Sequence, residues 1–458
     1  MHKLLALITI LLCAPAYLGA QTQVAPETRH GASLQATSLS SQPSALSSWS
    51  LDSCITYALE HNLTVRSAMI EQMGSDLGVT EAKDRFLPTL QAGAQQSWDF
   101  GRSLTADNTY ANRNTSMFGF NAQLSLPLFQ GLSAVRQLRQ AREQLEASRL
   151  QILSVKDEVT LSVISYYLQA LYNQELLAVS QEQLRLSQTQ LERQQALFEA
   201  GKVPEVDVIQ ARAQVAQAEV DVVTADNNLS LSVVDLAQAL ELHDREGFGV
   251  CPLDDQILMW IESPEVVKEH ALANYPSILA ARANISVADR GIDVAKTGYL
   301  PKLYFNAGLS DNYYKMSGIP NSSFSHQMRD NFAKSLGFTL QVPIFDAFST
   351  RNSVRRARVS RLSALLELDR RESELTKAID QAYTQAVGAR KKYEASQTAV
   401  DAAKAALDAM TEKYTYGKAN ATEWEQTRSN YITTLSQQVQ AKYEAILRHK
   451  ILAFYDRH

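Results

Sequence analysis

From Ser133 to Phe198 the chain contains neither glycine nor proline, and from Thr350 to Tyr416 its only one is Gly388. Those two residues are the strongest helix breakers. Apolar residues recur through the first stretch at Leu145, Ile152, Val155, Val159 and Val163, then at Leu176, Leu177, Leu184, Leu191 and Phe198. The spacing is that of a helix packed along its whole length. About 65 residues at a rise of ~1.5 Å each make a rod of roughly 100 Å. A globular domain has no room for it, so each predicted helix belongs to a coiled coil or a helical tube. In the second stretch Ala399, Ala402, Ala403, Ala405, Ala406 and Ala409 allow neighbouring helices to approach closely.

Both rods stop at a glycine. "LFEAGKVPEVD" holds Gly201 and Pro204, and "KYTYGKANATE" holds Gly417, a shift of 216 residues. Glycine takes the left-handed conformation that ends a helix. Pro204 suits the first turn of the next one, and Asn420 with Glu423 reads as a capping box. Other segments repeat as well. "ALEHNLTVRSA" from Ala58 matches "ALANYPSILAA" from Ala271, and Pro88 of "RFLPTL" matches Pro301 of "GYLPKL", both shifted by 213. Pro127 of "LPLFQG" matches Pro343 of "VPIFDA", shifted by 216. The chain is a duplication. Its first repeat is expected over 49–242, a connecting segment over 243–262 and its second repeat over 263–458. Each repeat reads as short helix, helix, two strands, long helix to the glycine, and a helix of about 35 residues.

The strands alternate. Phe118, Phe120, Ala122, Leu124, Leu126 and Leu128 oppose Gly119, Asn121, Gln123 and Ser125, while Leu336, Phe338, Leu340, Val342 and Ile344 oppose Gly337, Thr339 and Gln341. Leu90, Ala92, Ala94, Trp98 and Phe100, and Leu303, Phe305, Ala307 and Leu309, follow the same rule. The period fits a half-buried strand of a soluble protein and equally a barrel strand facing lipid on one side and water on the other. Four strands close no barrel, and open edges are excluded from lipid. Either the strands pack on a soluble core or several chains pool them.

Residues 1–20 read as an export signal, with Lys3, an apolar run from Leu4 to Leu12, and cleavage after Ala20 or Ala16. Leu12 before Cys13 is too bulky for a lipidation site. Residues 21–48, rich in Ser, Thr, Gln, Ala and Pro, read as a disordered lead. No later apolar run is long enough for a membrane helix. The exported chain keeps Cys54 and Cys251, which suit a disulfide or two separate thiols equally. A net charge of −5 gives no reason to expect nucleic acid. The local cluster Arg351, Arg355, Arg356 and Arg358 reads as a solvated helix face. The eight histidines are scattered, and no metal, nucleophile or phosphate-loop motif occurs. Neither an enzyme nor a cofactor is expected.

The duplication, "FLPTL" and "YLPKL", "LPLFQG" and "VPIFDA", and "AGKVPEVDVIQARAQVAQAE" together resemble the TolC-type outer-membrane efflux channel family over residues 50–456. The resemblance implies a mainly α fold with transmembrane β. Four strands per chain would be pooled by a homotrimer into one 12-stranded barrel in outer-membrane lipid, above a long periplasmic α-helical tube. It implies a Gram-negative outer-membrane exit duct for efflux or type I secretion, meeting a periplasmic adaptor and an inner-membrane pump at its tip. Carried over by position, the aperture residues are Val206, Asp207, Glu423 and Gln426, with Tyr414 as a tip tyrosine and Gly201, Pro204 and Gly417 as the tip turns. Asp207 and Glu423 also suit the positive end of a helix dipole. Gln426 stands where an acid is common and Ala419 where a gate-locking arginine can occur, so the closed-state bonds known in the family need not apply. The rival reading is a periplasmic coiled-coil adaptor or scaffold without a pore, which requires the strands to be soluble.

Overall fold

The computed structural model describes residues 48–104, 108–112, 114–243, 247–253 and 263–457. The expected export signal, the lead up to Ser48 and residues 254–262 of the connecting segment lie outside the described residues. The first repeat runs β1 (Ser48–Trp49), α1 (Leu51–His61), α2 (Leu63–Asp84), β2 (Thr89–Asp99), the short β3 (Arg102–Leu104) and β4 (Tyr110–Asn112), β5 (Thr115–Phe129), α3 (Ser133–Glu199) and α4 (Glu205–Ala239). β6 (Gly249–Val250) follows in the connecting segment. The second repeat runs α5 (Pro264–Asn274), α6 (Pro276–Ala295), β7 (Lys302–Met316), α7 (Phe324–Asp330), β8 (Ala333–Gln341), α8 (Ser349–Thr415) and α9 (Ala421–Asp456).

α3 and α8 are 67 residues each, about 100 Å long. α8 passes through Gly388 unbroken, between buried Ala386 and Ala389. Each long helix is launched from its strand by two successive left-handed residues, Gly131 (φ 59°) with Leu132 (φ 64°) and Ala347 (φ 49°) with Phe348 (φ 61°). At Gly131 a Cβ would also come within 2.7 Å of Leu300 Cβ, so the site excludes any side chain.

The helices form one layer. Next to the strands the order is α2, α3, α6, α8; beyond the middle it is α4, α3, α9, α8. Two hydrophobic cores sit halfway along the rods. Cys54, Ala58, Val65, Val159, Val163 and Leu236 build the first, and Val267, Ala271, Ile278, Leu375, Ile379 and Leu452 fill the equivalent places in the second. The parallel pair β1–β6 closes the first core. Fully buried Tyr167 places its hydroxyl 2.9 Å from Trp49 O and 2.7 Å from Cys251 O, so one α3 side chain holds the start of the repeat to its end. Cys54 is a buried thiol there, its pKa pushed up to about 12 by burial and secondarily by the neighbouring Cys251.

The four main strands pair in the order β2–β5–β7–β8, all antiparallel. Register lines up the faces. Leu90, Leu124, Ala307 and Leu336 form one row across all four strands, and Gln91, Gln123, Gly308 and Ser335 form the next row on the other face. Pro127 has no amide hydrogen to give, and the β5–β7 ladder skips a residue beside it. Three sequence expectations are corrected. β8 stops at Gln341, so Val342 and Ile344 lie beyond it, cut off by Pro343, which cannot donate to a ladder. β7 runs on to Met316 through residues read as loop, because β5 offers partners as far as Thr115. Pro204 precedes the first turn of α4 as its N-cap.

Replacing Tyr167 with Phe keeps the packing but removes the hydroxyl donor from Cys251 O, while Trp49 O keeps Cys251 N at 3.0 Å. Such a loss costs about 1–3 kcal/mol. Thermal or denaturant unfolding of the purified protein is expected to show this drop, and an unchanged transition would remove Tyr167 as the tie.

Candidate functional site

The far ends of the rods carry the residues singled out from sequence. α3 ends in a Schellman motif: Gly201 N donates to Phe198 O at 2.8 Å and Lys202 N to Leu197 O at 2.9 Å, with Gly201 at φ 69°. α8 repeats it, with Gly417 N to Tyr414 O at 3.1 Å, Lys418 N to Lys413 O at 2.8 Å and Gly417 at φ 70°. Both reversals are therefore specified by backbone chemistry. No heavy atom beyond the chain neighbours lies within 4 Å of where a Cβ would stand on either glycine, so both turns are open to approach.

Asp207 and Glu423 each stand third in the helix after the turn. Glu423 completes the expected capping box: Asn420 Oδ1 accepts from Glu423 N at 2.8 Å, and Glu423 Oε2 accepts from Asn420 N at 3.3 Å. Pro204 offers no side-chain cap; Asp207 N donates to Pro204 O at 3.1 Å, and among the described residues the Asp207 carboxylate has no hydrogen-bond or ion-pair partner. Its carboxylate faces only the positive helix end. Val206, Glu423 and Gln426 are exposed and Asp207 and Tyr414 half-buried. Within one chain these five residues do not converge.

Tyr414 instead anchors a cluster that sequence reasoning missed. Its hydroxyl accepts from Gln190 Nε2 at 3.1 Å and from Gln194 Nε2, both on α3. Its ring stacks on Trp424 at 5.6 Å and lies under Arg193 at 4.9 Å. Trp424 donates to Thr411 Oγ1 at 2.9 Å. One turn on, buried Arg428 donates to Ser187 Oγ at 3.1 Å, pairs with Glu425 Oε2 at 3.0 Å and lies against the Trp424 ring. α9 is thus latched to α3 by polar side chains. One signal was available: Arg212 and Arg428 occupy equivalent repeat positions, yet only the second has a carboxylate three residues before it.

Glu425 Oε1 is buried without a hydrogen-bond partner among the described residues. Burial raises the carboxyl pKa, against a smaller opposing pull from Arg428. The sign follows from linkage. Between the ordinary carboxylate pKa and the raised folded value the latched state binds more protons than the released one, so latching strengthens as pH falls through that window and weakens as pH rises through the raised value. Hydrogen exchange across the first turns of α9, corrected for intrinsic rates, is expected to show more protection near the ordinary carboxylate pKa than well above the raised one. Glu425→Gln should flatten the difference; equal protection in the wild type would refute the assignment.

At the other end the sheet is uncovered. α7 packs Phe324 on Phe118 and Tyr313. Below that, the apolar row is bare, with Leu336 79% and Leu90 72% exposed. The outer β2 and β8 have unpaired edges among the described residues.

Comparison with known proteins gives the same architecture. The family model described as "Outer membrane efflux protein" matches residues 54–241 and 267–452, one segment per repeat. The chain is 23% identical over 403 residues to the outer membrane efflux protein BepC of Brucella suis, covering 87% of this chain and 83% of that protein. It is 25% identical to the outer membrane protein TolC of Vibrio cholerae, covering 79% and 80%. Its fold is similar to the crystal structure of the Campylobacter jejuni CmeC outer membrane channel, with a TM-score of 0.71 at 17% identity over 95% of this chain and 94% of that one. The paired matches, the two open tip turns and the bare sheet agree: the chain belongs to the outer membrane efflux protein family.

Proposed function

We propose that three copies of this chain close into a ring, their sheets forming one 12-stranded barrel in outer-membrane lipid and their helices a tube through the periplasm. The observation that carries this is the sheet: an apolar face, a polar face and two open edges, with no helix over most of either face among the described residues. Lipid admits such a sheet only when every edge is paired. The helical layer supports the same closure. Its flanking helices carry exposed apolar side chains, Ile70, Met73 and Leu77 on α2, Val220, Val223 and Leu231 on α4, and Val359 and Leu366 on α8. A heterologous contact between the two flanks generates a ring. The scaffold rival needs a soluble core under the strands, and the bare apolar row speaks against it.

In this reading the protein is the exit duct of an efflux or secretion system. The turns at Gly201, Pro204 and Gly417 meet a periplasmic adaptor, with an inner-membrane pump beyond it as the source of energy. Val206, Asp207, Glu423 and Gln426 line the aperture, and Tyr414 braces it from behind. The unpaired state of Asp207 supports a role in the lumen, where a ring of acids attracts cations.

Purified mature protein is expected to run as a trimer in light scattering and to conduct ions in planar bilayers, with cations favoured. The double substitution Asp207→Asn, Glu423→Gln keeps the capping geometry, since glutamine serves a capping box. It should lower the cation-to-anion permeability ratio. A monomer without conductance sinks the duct; unchanged selectivity sinks the aperture assignment alone.

A further inference from the structure

The arginine cluster at the head of α8 is used by neither the tube walls nor the tip. In sequence it reads as a solvated helix face, and three observations oppose that reading. The cluster is duplicated: Arg139 and Arg142 on α3 stand where Arg355 and Arg358 stand on α8, both pairs shifted by 216. Acids are also scarce around it: neither long helix has an acidic residue in its first turn, α8 has Arg351 there, and Asp346 just before α8 is taken up by Thr350. Finally, Arg139, Arg142, Arg355 and Arg358 are exposed and have no ion-pair partner among the described residues. Two arginines nearby are paired, Arg290 with Glu143 at 3.2 Å and Arg361 with Asp289 at 2.5 Å, and Arg136 donates to the backbone of Asp293 at 2.6 Å.

The height of the cluster identifies its partner. α3 and α8 begin directly below the sheet, and at ~1.5 Å per residue Arg139 and Arg355 lie about 9 Å down, Arg142 and Arg358 about 14 Å. Just above them Phe86, Phe129, Tyr299, Phe345 and Phe348 are exposed at the strand–helix junctions, the aromatic girdle of a membrane interface. Arg351 already lies 5.6 Å over the Phe348 ring. Arginine stems reach upward along apolar surface while the guanidinium stays in the polar layer. The positive end of α3, which has no side-chain cap, points the same way; that of α8 is taken by Asp346, which accepts from Thr350 N at 2.8 Å. On α3, Arg136 and Glu143 face α6 and Ser148 faces α2, through Ser75. At about 3.6 residues per turn Arg142 is turned away from both contacts, and Arg139 lies beside it toward the α6 side. In a closed ring the neighbours of a helix crowd its concave side, so the uncontacted side is the outer one.

We propose that Arg139, Arg142, Arg355 and Arg358 form a belt that binds the phosphates of anionic phospholipids in the inner leaflet of the outer membrane and sets the height at which the barrel rests. The proposal depends on the ring described above. The test uses the full mature chain in nanodiscs of equal phosphatylethanolamine and phosphatidylglycerol, followed by detergent stripping and mass spectrometry of the retained lipid. Wild type is expected to retain phosphatidylglycerol several-fold over its share, the excess falling with salt. Changing all four arginines to Gln should return the ratio to that of the bulk, and changing all four to Lys should keep it. Arg149→Gln, Arg185→Gln, on paired arginines further down α3, should leave it unchanged. At matched ionic strength, inorganic phosphate and lipopolysaccharide should not displace the retained lipid. Retained lipid of bulk composition in the wild type overturns the belt while trimer and conductance stand; so does displacement by either competitor, or undiminished enrichment in a Gln variant that still trimerises and conducts. A wild type that neither trimerises nor conducts overturns the ring and the belt with it.

Discussion

Two rods of about 100 Å have to be held side by side, and the chain does this chiefly at one level. The two mid-rod cores gather α1, α2 and the end of α4 on α3, and α5, α6 and the end of α9 on α8. Burial of large apolar side chains is worth roughly 1.5–3 kcal/mol each, and here those side chains sit within about three turns of each rod. Above and below that level large buried apolar side chains are fewer, among them Val79, Ile152, Val208, Val354 and Val439, and alanines, ion pairs and polar hydrogen bonds make up more of the contact. The tie from Tyr167 to Trp49 and Cys251 secures the same level with backbone acceptors. The sheet and the tip are thus two ends of levers that pivot on one packed belt.

What happens at the sheet end follows from hydrogen-bond accounting. Each inner strand satisfies its backbone on both sides, each outer strand on one. In water that is tolerable; in a bilayer it is not. In the ring proposed above each open edge is completed by another copy, and the exposed apolar side chains on the flanks of the helical layer are available for the same contact along the rods.

Much of this was legible in the sequence because it is written in periodicity. The long helices, their glycine ends and the alternating strands each rest on a pattern that repeats at 213 or 216 residues. The Asn420–Glu423 capping box was legible because it needs only two residues at fixed spacing. What escaped rests on contacts distant in sequence. Gln190 and Gln194 read as polar-face residues until the end of α8 brings Tyr414 against them, more than two hundred residues later. The extra length of β7 depends on what β5 offers as a partner, and the short helix α7 on what the strands leave to pack against. Val342 and Ile344 kept the alternation of a strand after Pro343 had made the ladder impossible.

The two repeats also diverge where their surroundings differ. α9 lies between α8 and α3 within one chain, so Arg428 is buried and carries its own acid, Glu425. The equivalent α4 has α3 on one side and an open flank on the other. Its Arg212 is exposed, and the position matching Glu425 is Ile209, also exposed. An arginine needs a buried counter-charge only where water is excluded from it. The seam inside the chain is therefore polar and latched, while the flank left open is apolar at the same height. Duplication supplied one geometry twice, and the chemistry of each copy differs with whether its helix is flanked by this chain on both sides or on one.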